Sequence, residues 1–196
     1  MLRIRLTEKQ LDEALKALTV QVDTRETKNT KQIKHITDWF DAKGIKYKKQ
    51  KIDFGDFSAF IPKGTIKGIE QDIVFDRMIA IERKKSIDEL AGNFSKKDNP
   101  RLKKEFAHLK AHGTKVFIFL EDALFDKHLR AHNYISQYEP QKLYARIKGF
   151  EAEYDTIIRP VKPEFMGSEI YHTLYYYVRN KLLREFNITI EEEAQE

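Results

Sequence analysis

Four acids and one lysine fall where this chain could gather them around a single phosphate group. Asp23 ends the stretch Thr19-Val-Gln-Val22, and Glu26 follows three residues later. Asp56 opens Phe57 to Ile61, and Glu82-Arg83-Lys84 closes Met78 to Ile81. Side chains alternate along a strand, so Glu82 and Lys84 point to one side and Arg83 to the other. If Phe57–Ile61 pairs antiparallel with Met78–Ile81, the start of one lies beside the end of the other, and Asp56 sits next to Glu82. Two carboxylates and an ammonium then converge at a strand edge. Such a set suits phosphodiester hydrolysis. Carboxylate oxygens hold Mg²⁺ (or Mn²⁺), which keeps several of its waters. The ion makes a bound water acidic and neutralises phosphate charge, and the lysine orients or deprotonates that water. Asp23 and Glu26 are placed to add ligands from the neighbouring strand. An E-x-K at a strand end is common in lysine-rich chains, and Asp23 and Glu26 also fit as plain loop acids. The weight lies on four acids meeting at the ends of three strands.

The elements that must position these groups read as follows. Thr7 and Gln10 form a capping box before Leu11, Leu15 and Leu18 at helical spacing. Ile33, Ile36 and Phe40 mark a second helix closed by Gly44. Ile45 to Ile52 reads as a strand, and Pro62 to Glu70 as a loop. Ser86 with Glu89 makes a second capping box. Asp98 caps a helix with Pro100 in its first turn, carrying Leu102, Phe106 and Leu109 and stopping at Gly113. Lys115 to Glu121 is nearly all apolar inside, as a strand covered on both faces should be. A helix starting at Pro140 carries Leu143, Ile147, Phe150 and Tyr154. A strand follows near Ile157-Ile158, then a long helix with Ile170, Leu174, Tyr177, Val178, Leu182 and Phe186 on one side. Strands alternating with helices predict an α/β protein, a three-layer α/β/α sandwich around a central mixed β-sheet.

Length and composition narrow the partners. The 196 residues suffice for one domain with a core, here 1–190, with 191–196 as an acidic disordered tail. There is no cysteine, which excludes disulfides and thiolate sites. The longest clean apolar run, Val116 to Leu120, is far below a membrane span, and no basic-then-apolar leader opens the chain; a cytoplasmic protein is expected. Lysine and arginine exceed acids for a net +5, although four acids lie in the last six residues. Eight lysines fall between Lys28 and Lys51 and eight basic residues between Arg83 and Lys104. Such clusters favour a polyanionic partner, but a lysine-rich solvated surface gives the same pattern.

The ordered series Val22-Asp23-Thr24-Arg25-Glu26, Gly55-Asp56-Phe57 and Ile81-Glu82-Arg83-Lys84, with Asp88 after three more residues, resembles the XPF-type structure-specific nuclease domain. That family's signature is G-D, a spacer and E-R-K-x-x-x-D, preceded by D-x-R-E. The resemblance covers about 19–121, including Arg101 and Glu105 and the apolar strand ending in Glu121, with 122–190 as a helical extension. It implies a restriction-endonuclease-like fold and metal-dependent endonuclease action on DNA, at branched or flap structures. It further implies Asp56 and Glu82 as metal ligands, Asp23 and Glu26 contributing, Lys84 orienting water, Arg83 supporting the site or contacting phosphate, and Asp88 completing the motif. Helix-dipole stabilisation is the rival role for Asp88. Arg25, Lys85, Lys96, Lys97, Arg101 and Lys104 are the expected phosphate contacts. Relatives of this kind commonly work as homodimers, which is a secondary expectation.

The chain departs from the family after Asp122, where the glycine-centred hairpins of the tandem helix-hairpin-helix module are not seen. A small bacterial or phage nuclease of DNA repair or recombination fits the length. The competing readings are a non-catalytic DNA-binding scaffold subunit and a nuclease acting on RNA or invading nucleic acid. His108/His112 and His128/His132 are spaced four apart, which can place imidazole pairs on one helical face, although a zinc-protease glutamate is missing. Tyr171, Tyr175, Tyr176 and Tyr177 exceed what one core face needs and read as a buried helix or dimer interface.

Overall fold

The structure is a computed structural model and describes residues 6–24, 32–94 and 99–185. Its first helix, α1 (Glu8–Lys16), starts at the expected capping box: Gln10 N donates to Thr7 Oγ1 and Thr7 N to Gln10 Oε1. Then come β1 (Thr19–Asp23), α2 (Lys34–Ala42), β2 (Tyr47–Gln50), β3 (Phe57–Ile61), β4 (Ile73–Val74) and β5 (Ile79–Lys84). The rest is α3 (Ile87–Asn93), α4 (Asn99–Ala111), β6 (Lys115–Leu120), α5 (Phe125–Arg130), α6 (Pro140–Tyr154), β7 (Ile157–Pro160) and α7 (Met166–Glu185).

Among the described residues, seven strands form one mixed sheet in the order β2-β1-β3-β5-β6-β7, with β4 on β3. Strands β5, β6 and β7 run parallel, while β3 is antiparallel to both β1 and β5. Alternation then divides the side chains. Val20, Val22, Phe57, Ile79, Ile81 and Phe119 point into a core completed by α1, α2 and α7. Val116, Ile118 and Leu120 point into a second core with α3, α4, α5 and α6. The sheet is therefore sandwiched between two helical layers, as the periodicity predicts. Burying each such aliphatic or aromatic side chain is worth about 1.5–3 kcal/mol.

Several details differ from the sequence reading. The strand expected over 45–52 is confined to Tyr47–Gln50, an edge strand on which Lys48 and Lys49 are both exposed. The antiparallel β3–β5 ladder has a single register pair, Phe57↔Ile81. Helix α5 was not anticipated. It ends at Arg130, and His132 adopts φ 53°, so His128 and His132 do not share a helical face. His128 Nδ1 instead bonds Asp122 Oδ2 at 2.8 Å, and His132 Nε2 the Ser136 carbonyl at 3.0 Å. On α7, Ile170, Leu174, Val178 and Leu182 are buried as expected. The Asp98 cap, Phe186 and the acidic tail lie outside the described residues. Among the described residues, no helix is long and apolar enough to cross a membrane.

Candidate functional site

The site begins with a glycine. Gly55 has φ +74°, a left-handed conformation, and a Cβ built there would stand 3.0 Å from the Ile81 carbonyl oxygen and 3.2 Å from Ala80 Cβ. Only glycine lets the chain press against β5 here. The next residue is thereby held between two strands: Asp56 N donates to Ile81 O (2.9 Å), and Asp23 N to Asp56 O (2.8 Å). The Asp56 side chain then takes the following ladder position itself, its Oδ2 accepting from Arg83 N at 2.7 Å. The carboxylate has replaced a backbone acceptor, which explains why β3 and β5 share so short a ladder.

Gly55→Ala should cost at least ~1–2 kcal/mol from the left-handed backbone alone. The displaced Asp56 should slow any reaction it supports by roughly 10²-fold. Urea melts paired with rate measurements on the same preparation check both.

On β5 the alternation runs as predicted. Glu82 and Lys84 face the layer of α3, α4 and α6, and both line a narrow cleft with Leu90, Asn93, Phe94 and Phe106. Lys84 Nζ lies 2.7 Å from Glu82 Oε1 and 3.4 Å from Glu89 Oε1. Glu89 was recognised in the sequence only as a capping partner. Ser86 Oγ does accept from Glu89 N, but the Glu89 carboxylate turns to Lys85 N (2.8 Å) and to the Lys84 ammonium.

The Lys84 pKa is raised. Burial disfavours its charge, but Glu82, then Glu89 and Asp56, outweigh that cost. The ammonium therefore persists through the neutral range, which favours orienting a water over deprotonating one. A lysine raised in the folded state gives stability that is complete below its ordinary value of 10.5 and lost as pH climbs beyond it. Lys84→Met should thus be less stable than the parent by about 1.5–3 kcal/mol at pH 7. In urea melts across pH 7–11, that gap should hold up to about 10.5 and begin to narrow only beyond it.

Arg83 points to the opposite face, where its Nη1 lies 3.2 Å from Glu121 Oε2, with the two side chains 4% and 8% exposed. His35 of α2 bonds the other Glu121 oxygen at 2.8 Å. Of the two readings for Arg83, support from behind fits this placement, since the guanidinium is shut away from the face that carries Glu82. Asp88 is also engaged: its Oδ1 accepts from Ile135 N (2.8 Å) and Ser136 N (2.6 Å), fastening the loop after α5 to the first turn of α3.

Asp23 is fully buried, and its Oδ2 accepts from Ile52 N at 3.2 Å. Lys85, Arg101 and Lys104 are exposed. Arg25, Glu26, Lys96 and Lys97 lie outside the described residues.

Among the described residues, no three histidine, aspartate or glutamate side chains converge to enclose an ion. The donor chemistry still fits a hard cation. Mg²⁺ commonly binds through one or two carboxylates and keeps water in its remaining positions. Asp56 and Glu82, adjacent at the β3–β5 edge, provide such a pair.

The ERCC4 domain model matches residues 22–173, most of the chain. The chain belongs to the ERCC4 domain family. Two solved structures share the architecture of this family member. XPF from Aeropyrum pernix aligns with a TM-score of 0.55 and 18% identity over 83% of this chain and 66% of that chain. XPF from Aeropyrum pernix in complex with DNA aligns at 0.53 and 18% over 83% and 65%. The chain thus spans just under two thirds of those proteins' lengths, and at that identity the likeness concerns the fold: a mixed sheet with flanking helices, as in XPF-type nuclease domains. A search of the curated proteins gave no match.

Proposed function

We propose that the protein is a metal-dependent DNA endonuclease that hydrolyses backbone phosphodiesters at branched or flap structures. The observation that carries this reading is the gathering of Asp56, Glu82 and Lys84 on one side of the β3–β5 edge in a member of the ERCC4 domain family. Asp56 and Glu82 would hold Mg²⁺ or Mn²⁺, with Asp23 and Glu26 contributing. Bound there, the ion would supply an acidified water and offset phosphate charge. Lys84, kept protonated by its carboxylate neighbours, directs its N–H donors at the attacking water. Arg83 and Glu121 fix β5 from behind, and Asp88 ties the loop after α5 to α3. Lys85, Arg101 and Lys104, together with Arg25, Lys96 and Lys97, contact DNA phosphates and make binding fall with salt.

The DNA bound by the Aeropyrum pernix protein supports DNA as the substrate. A scaffold subunit is the weaker reading, because the acids and the lysine are all retained. A cleavage panel of labelled duplex, single-stranded, 3′-flap and fork DNA tests the proposal, with RNA of the same sequence alongside. The flap or fork should be cut fastest. Equal rates on every DNA would remove the structural preference, and preferential cutting of the RNA would reassign the substrate.

A further inference from the structure

The loop between α5 and α6, residues 131–139, is braced beyond what a connection needs. Besides the two N–H groups given to Asp88, Tyr134 Oη donates to the Tyr138 carbonyl (2.6 Å), and Tyr138 N donates to Ser136 Oγ (3.2 Å). At its root, Arg130 ends α5 and Pro140 begins α6. Between them lies a cleft of about 290 Å³ lined by Leu129, Arg130, Pro140, Gln141 and Tyr144. That is near the small end of ligand clefts, ~300 Å³, with room for one planar ring system.

Tyr144 is not needed by the core. Helix α6 buries Leu143, Ile147, Phe150 and Tyr154, and Tyr144 beside them is 39% exposed. Two cations lie over its ring, Arg130 at 5.5 Å and Lys148 at 5.9 Å. Lys148 is ion-paired with Glu151, whereas Arg130 has no carboxylate partner among the described residues. A part-exposed aromatic ring beside a guanidinium without a carboxylate partner is the pairing that single-stranded nucleic acid uses, base on ring and phosphate on cation, with the base taking the place of a cation over the ring. Leu129, Leu143 and Ile147 pack into the same core as α3 and Ile118. The cleft therefore opens from the layer that carries Glu82 and Lys84, and the Asp88 contacts fix its loop to the helix that follows them.

We propose that this cleft is a subsite for one unpaired base of a DNA strand, stacked on Tyr144 with its phosphate held by Arg130. The inference rests on the nuclease reading only for a DNA strand being present at this face.

It is tested by binding in EDTA, where cleavage plays no part. The probes are a short single-stranded oligo-dT carrying one 2-aminopurine and a duplex of equal length. Tyr144→Ala should weaken single-strand binding roughly tenfold and abolish the quenching of 2-aminopurine, since stacking on an aromatic side chain has about that value per base. Tyr144→Phe should behave as the parent. Arg130→Gln should weaken binding and lower the salt slope by about 0.7. Duplex affinity and melting temperature should be unchanged in Tyr144→Ala. Parent-like single-strand binding and quenching in Tyr144→Ala would overturn the proposal, as would an equal loss on duplex. Tyr144-dependent binding without cleavage of any DNA would sustain the subsite and remove the nuclease reading. Glu82-dependent cleavage with no Tyr144 effect on binding would remove the subsite alone.

Discussion

Glu82→Ala is expected to bind DNA as the parent does and to cut it at least about 10²–10³-fold more slowly, the loss typical of removing one preorganised charge-stabilising group. Glu82 has two tasks: it is one of two carboxylates available to an ion at the β3–β5 edge, and its Oε1 holds the Lys84 ammonium at 2.7 Å. Removing it would take away one carboxylate of the proposed ion site and leave Lys84 with Glu89 and Asp56 as its acidic neighbours. The fold should persist, because Glu82 is partly exposed and belongs to neither apolar core. Anisotropy with fork DNA, initial cleavage rates and a melting curve separate these effects. Glu82→Gln, which keeps the shape and one acceptor but not the charge, should be nearly as slow. A rate within tenfold of the parent would remove Glu82 from the site.

Glu121→Ala should produce the largest loss of stability, about 3–5 kcal/mol, because it removes one partner of a buried ion pair. Against a typical total of about 5–15 kcal/mol, that threatens folding itself. Glu121 meets Arg83 on one oxygen and His35 on the other, so a single substitution disturbs β5, β6 and α2 together. Glu121→Gln retains acceptors and should cost less. Pairing Glu121→Leu with Arg83→Met should recover part of the loss, since an apolar pair of similar volume leaves no broken ion pair in the interior. Urea unfolding of the three proteins at one pH checks the order. Equal stability of Glu121→Ala and the parent would mean that the Arg83 charge is compensated elsewhere.

The parts of this site legible in the sequence are those governed by local rules. Strand alternation correctly separates Glu82 and Lys84 from Arg83, and the antiparallel pairing brings Asp56 to β5. Thr7 and Ser86 cap helices as their spacing predicts. What was not legible depends on chain segments far apart. The parallel register of β5 and β6 sets Lys84 against Leu120, which brings Glu121 behind Arg83. The contact of Asp88 with Ile135 spans 47 residues, and nothing local announces it. The i,i+3 spacing that marks Glu89 as a capping residue is silent about its carboxylate turning back to Lys84. Helix α5 escaped because Phe125–Arg130 is too short for a periodic signal.

The central claim is tested most directly by following a labelled fork DNA with the parent protein in Mg²⁺, in Mn²⁺ and in EDTA, with Glu82→Ala and Asp56→Ala in parallel. Cutting that requires the metal and disappears in both variants is the predicted result. Cutting that persists in EDTA would contradict the account. So would tight, salt-sensitive binding with no cutting of duplex, single-stranded, flap or fork DNA in either metal.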